Sequence, residues 1–236
     1  MRQDRGRFEL VRIALAALLA TGAAAAAANV LVVRAIGPSA STYPPGRSLQ
    51  DNARIQLVAG DTLVVLGASG TRTFRGPGRF SPSGPAQPGP PLALDANTRA
   101  RIAAVRGSPF VPSARTATIW QVDPRQSGNV CLVPANGIEL WRANSTRTEA
   151  LTITGPDGRV QLLWPAGQAI IDWPSGVSVR DDTEYQVRAS RSPVAGRIRV
   201  RTIDTPPDNV VSVAEALISN GCDKQLELLV ATQQTF

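Results

Sequence analysis

The stretch ALTITGPDGRVQLLW, residues 150–164, holds two runs of alternating apolar and polar side chains around Gly-Pro-Asp-Gly. A period of two marks a strand with one buried face, and Pro-Asp between glycines supplies tight-turn geometry. The stretch therefore reads as strands at 150–154 and 160–164 joined by a turn. Outward from it, segments 116–122, 129–133, 138–142, 169–173, 184–189 and 197–202 read as further short strands. PANG at 134–137 and Pro-Ser-Gly at 174–176 supply turns between them. Strands this short and this evenly spaced predict an antiparallel, sandwich-like β domain.

The tail changes period. Ser212 and Glu215 stand at capping-box spacing, a helix is expected over 214–220, and Gly221 suits the position just beyond its end. Asp223 is a candidate cap for KQLELLVAT, which fits a helix or an extended segment. Toward the N-terminus, the β pattern runs from Asn29 to about Phe80. Residues 53–58 alternate, AGD turns at 59–61, TLVVL at 62–66 reads as buried, GASG turns again, and TRTFR at 71–75 alternates. SPSGPAQPGPP, 81–91, is too rich in proline and glycine for a helix or a sheet ladder and reads as a stiff linker. Asp95 is placed to cap a short helix over 96–106, ended by Gly107. The expected fold is mainly β. It comprises a small N-terminal module over 34–80, a linker over 81–115 with a short helix, and a β-rich domain over 116–236 closed by one or two short helices.

The chain contains no histidine. That absence removes Ser-His-Asp and Cys-His nucleophiles, His-ligated zinc and the usual general base near neutral pH. The formal charge is +7, and every basic residue except Lys224 is arginine, but no run of like charges concentrates it. Dispersed charge of this kind reads as a solvated surface, and no nucleic-acid partner is expected. GASGTRTFRGPGRF, 67–80, lacks the Lys-Ser/Thr and following helix of a phosphate loop, so it reads as a hairpin. Its arginines, Arg72, Arg75 and Arg79, form a candidate surface for an acidic partner. Asp172, Asp181, Asp182 and Glu184 are close in sequence and are candidates for the paired acids of a hydrolase, or for a solvated turn before a strand. No residue pattern points to a cofactor or a metal. Trp120, Trp141, Trp164 and Trp173 lie beside apolar neighbours, which favours packing over an exposed sugar platform.

MRQDRGRFELVR opens the chain with positive bias, and 21 uncharged residues follow from 13 to 33. With an alanine-rich zone near Ala28, residues 1–33 read as a secretory signal; their length also suits an uncleaved membrane anchor. Either reading puts the bulk of the chain in the periplasm. In that oxidising compartment Cys131 and Cys222 are expected to form a disulfide. The closed loop of roughly 90 residues would contribute on the order of 4 kcal/mol in the chain-entropy description.

Residues 47–78, RSLQDNARIQLVAGDTLVVLGASGTRTFRGPG, resemble the FecR-like β module of bacterial envelope proteins. Gly60-Asp61 stand where such modules carry a "GD" turn, and 67–70 where they carry a small-residue turn. The resemblance implies a β module in the envelope. FecR regulators also carry a cytoplasmic anti-sigma region, whereas twelve residues precede Ile13, so sigma-factor control is not implied. The expectation is a non-catalytic binding or signalling-accessory protein whose partner is another envelope protein or a cell-wall glycan. The alternative is an envelope hydrolase using the acids near Asp181.

Overall fold

In the computed structural model the first strand, β1 (Asn29–Ile36), begins inside the apolar N-terminal run. The structure describes residues 29–85, 99–102, 118–134 and 137–233. β1 pairs antiparallel with β2 (Ser48–Gln50) on one side and with β4 (Thr62–Gly67) on the other. The β4 strand continues through a two-residue turn into β5 (Gly70–Arg75), giving a sheet of order β2-β1-β4-β5. A separate pair, β3 (Ile55–Leu57) and β6 (Gly78–Phe80), covers one face.

β1 and β4 are continuously apolar because both of their faces are buried. Val30, Val32, Leu63 and Val65 pack with Ile55, Leu57, Phe74 and Tyr43. Leu31, Val33, Val64 and Leu66 face the opposite way, onto the C-terminal helices. Strand β1 begins at Asn29, where the β pattern of the sequence also began, so residues 29–33 are sheet together with the start of the module expected over 34–80. Residues 1–28 lie outside the described residues, among which no helix is long and apolar enough to cross a membrane.

The Gly60-Asp61 turn ties three loops together. Gly60 takes φ +88°, and the buried Asp61 carboxylate accepts hydrogen bonds from the Val58 and Ser39 amides at 2.6 and 2.9 Å. Burial alone would raise the pKa of Asp61, but those hydrogen bonds outweigh it and hold the pKa below the usual carboxylate value. Gly37 lies directly against this carboxylate, where a Cβ would come within 2.6 Å of its oxygen. The expected linker begins in order, with the Ser81 and Ser83 hydroxyls donating to the Asp51 carbonyl. Of the helix expected over 96–106, residues 99–102 are described and helical.

The predicted hairpin at 150–164 is present as β9 (Glu149–Gly155) and β10 (Gly158–Trp164), closed by a Pro156-Asp157 turn. The pair belongs to a five-stranded sheet of order β10-β9-β12-β13-β7, with β7 (Gly128–Leu132), β12 (Thr183–Ala189) and β13 (Gly196–Thr202). A two-stranded sheet of β8 (Glu139–Trp141) and β11 (Ile170–Asp172) packs its apolar side against the same core. Among the described strands the pairings are antiparallel except β13 with β7, which is parallel. The strand expected at 116–122 is not formed over its described part. Residues 119–121 turn and bend, and only Val122 bridges Leu140. The Gln121 carboxamide accepts from the Thr118 amide, a local bond that competes with a ladder.

Trp141 and Trp164 are buried, each beneath an arginine: Arg101 lies 5.2 Å above Trp141 and Arg142 lies 4.7 Å above Trp164. Arg142 also donates to the Pro165 and Gln168 carbonyls and pairs with Glu149 at 3.7 Å. These rings pack, as their apolar surroundings suggested.

Two helices close the chain, α1 (Val210–Ser219) and α2 (Asp223–Thr232). The cap of α1 is Asn209, whose side chain accepts from the Val211 and Ser212 amides, so the helix starts earlier than the Ser212 box implied. Gly221, at φ +64°, reverses the chain into α2, and KQLELLVAT is helical. Cys131 of β7 and Cys222 are joined by a disulfide. One turn further on, the buried Gln225 accepts from the Cys131 amide at 2.7 Å and donates to the Cys131 carbonyl at 2.8 Å. It also donates to the Ile119 carbonyl. Around these contacts, Ala214, Leu217, Leu226, Leu229 and Val230 pack onto Leu31, Val33, Val64 and Leu66. The helices thus join the N-terminal sheet to β7 in one core.

Two outcomes follow from this packing. Gln225→Leu leaves the Cys131 amide and carbonyl buried without partners and should cost about 3 kcal/mol, read as a lowered urea midpoint. A chain starting at Asn29 should keep a single cooperative thermal transition, whereas one starting at Arg34 loses the centre of the first sheet and should not.

Candidate functional site

Strand alternation sends the apolar residues of the five-stranded sheet into the core and the polar ones to the opposite face. Leu151 and Ile153 of β9, Tyr185 and Val187 of β12, and Ile198 and Val200 of β13 are fully buried. On the other face β10 presents Arg159, Gln161 and Leu163; β9 presents Thr152 and Thr154; β12 presents Glu184, Gln186 and Arg188; and β13 presents Arg197, Arg199 and Arg201. Register aligns them into rows. Arg159, Thr154, Gln186 and Arg197 stand side by side across four strands, with Gln161, Thr152 and Arg188 in the next row. At about 4.8 Å per strand, Arg159 and Arg197 stand about 14 Å apart, with Arg188 diagonal to Arg197.

Two of the five arginines are engaged. Asp182 pairs with Arg199 at 3.1 Å and with Arg201 at 2.9 Å. Arg159, Arg188 and Arg197 are exposed and have no acidic partner among the described residues. The face is an open array of guanidinium groups interspersed with threonine, glutamine, Glu184 and Leu163, and among the described strand residues no aromatic side chain lies on it. Guanidinium forks bind carboxylates and phosphates in two-point fashion, and hydroxyls and carboxamides serve sugar hydroxyls. An open polar face suits an extended anionic chain rather than an enclosed small molecule.

The arginines singled out in the sequence do not form one surface. Arg72 and Arg75 are an odd number of residues apart on β5 and so project to opposite faces of the first sheet. Arg72 shares its face with Phe74 and donates to the Pro82 carbonyl and the Ser69 hydroxyl. Arg79 lies on β6, exposed beside Gln56 of β3. The arginine face of the larger sheet was missed because its charges are distant in sequence. The available signal was parity: GRIRVRT places Arg197, Arg199 and Arg201 on one side.

The acidic residues near Asp181 are also dispersed. Asp172 is paired in register with Glu139 at a sheet edge, beside a cleft of about 540 Å³ that none of Asp181, Asp182 and Glu184 lines. The Thr202 amide holds Asp181 below the usual carboxylate range, and Arg199, followed by Arg201, does the same for Asp182. A hydrolytic general acid needs the opposite shift. Among the described residues, no group of three or more Cys, Asp or Glu side chains is placed to hold a metal ion.

No family model, curated protein or solved structure matches this chain.

The depressed carboxylates give a pH signature. Their stabilisation is complete above the unfolded-state value near 4 and is lost as pH falls through the lower folded-state values. Thermal melting should therefore decline below about pH 4, and the decline should be shallower when Asp181 and Asp182 are both replaced by asparagine.

Proposed function

We propose that this chain is a non-catalytic binding protein of the bacterial envelope that holds an anionic cell-wall glycan along the arginine face of its five-stranded sheet. The observation that carries the reading is the row of Arg159, Thr154, Gln186 and Arg197, with Arg188 beside it and no acid neutralising these three cations among the described residues. Threonine and glutamine between the cations match the hydroxyls and amides of a glycan, while the guanidinium groups match its carboxylates or phosphates. The carboxylates near Asp181 favour binding over hydrolysis, since Asp181 and Asp182 serve the backbone and the arginines.

An envelope location is supported from two sides. The Cys131–Cys222 disulfide fits an oxidising compartment. The start of β1 also bears on the choice between signal and anchor. With Asn29 onward in a sheet, the uncharged segment is left with 16 residues, 13–28. A cleaved signal ending near Ala28 is compatible with a strand that begins at Asn29. The FecR-like resemblance of 47–78 fits an envelope module of this kind.

Purified chain should co-sediment with isolated peptidoglycan, and binding should weaken as salt rises. Replacing Arg159, Arg188 and Arg197 together by glutamine should lower binding at least tenfold, while the same change at Arg72 and Arg79 leaves it unaltered. Equal binding by the triple variant would exclude the arginine face.

A further inference from the structure

We infer that β10 is a dimerisation edge, at which two copies of this chain pair β10 with β10 into one continuous sheet. The argument starts from the backbone. Gly155 and Gly158 close a two-residue hairpin and so exchange both of their hydrogen bonds. From that pair outward, Gly158, Val160, Leu162 and Trp164 direct their amides and carbonyls to β9. Arg159, Gln161 and Leu163 direct theirs away from the sheet, and no described residue accepts or donates there.

Three other edges among the described residues are covered, contacted or short. Gln225 occupies the outer side of β7, the Thr71 amide of β5 donates to the Gln233 carbonyl, and β2 has three residues. β10 has none of the usual protective devices: it is seven residues long, regular in register, free of proline, and charged only at Arg159. Leu163 is 70% exposed on it.

The edge fits a second copy of itself. A two-fold axis at Gln161 puts every outward amide and carbonyl opposite another. Gln161 meets Gln161 of the partner subunit, and Arg159 meets Leu163 of the partner subunit, so no like charges oppose. On the core side Val160 faces Leu162 of the partner subunit, covering two apolar residues that are only half-buried in one copy. Gly158 lies across from Trp164 of the partner subunit, where no side chain crowds the indole. Because the axis is perpendicular to the sheet, both arginine faces point the same way and a glycan could engage both. The dimer itself does not depend on the glycan reading.

A pairing of seven residues is small against a standard interface of about 1,600 Å², so the dimer should be weak and concentration-dependent. Sedimentation velocity of the full chain over a wide concentration range should show monomer passing to dimer. Gln161→Pro removes an amide that bonds nothing in the monomer but is used twice across the axis. Leu163→Lys sets a second cation opposite Arg159 of the partner subunit. Each should raise the dissociation constant by roughly tenfold or more while far-UV circular dichroism stays unchanged. If Gln161→Pro disturbs the fold, Leu163→Lys decides alone. A chain that stays monomeric throughout, or a dimer that Leu163→Lys leaves intact, overturns the inference.

Discussion

The carboxamide of Gln225 stands where a further strand would lie beside β7. It accepts from one backbone group of Cys131 and donates to the other, and the same residue is covalently tied one helical turn away through Cys222. A buried peptide group left unpaired costs as much as a lost hydrogen bond, so this edge needs a surrogate wherever strand pairing stops. The surrogate comes from a helix, and that choice sets the rest of the architecture. With α2 anchored to β7, the apolar faces of α1 and α2 must be covered, and Leu31, Val33, Val64 and Leu66 of the first sheet cover them. The two β regions are therefore held together by a shared core built from the end of the chain.

This arrangement also explains the asymmetry of the larger sheet. One edge is sealed by a helix, a side-chain amide and a disulfide, whereas the other, β10, is seven residues of regular strand with an exposed leucine. Between the edges, the outer face carries Arg199 and Arg201, which pair with Asp182, and Arg159, Arg188 and Arg197, which have no acidic partner among the described residues and stand on β10, β12 and β13. That spread of open cations across the sheet is the physical basis for reading the face as a binding surface for an anionic polymer.

Local readings were reliable where local physics decides. The 150–164 hairpin follows from alternation and turn chemistry, and the two cysteines of the chain pair with each other as expected. Three-residue strands such as β2 and β6 left no periodic trace, because two or three side chains cannot show a period. The stretch 116–122 had the composition of a strand, but the side-chain bond from Gln121 turned its described part into a loop. The apolar run through Val33 was ambiguous for a different reason: a strand buried on both faces has the same composition as the end of a membrane-active segment. Only the presence of covering layers on both sides distinguishes the two.

For function the division is sharper. By itself the sequence determined that histidine chemistry is absent, that the chain is mainly β with helices at its end, and that its charge is carried by arginine. These are properties of composition and of neighbours along the chain. Tertiary structure decided which charges act together. Arg72 and Arg75 are three residues apart yet project to opposite faces, while Arg159 and Arg197 share a row although 38 residues separate them. Strand parity and register assign a side chain to a face, and register is fixed only when the sheet is assembled.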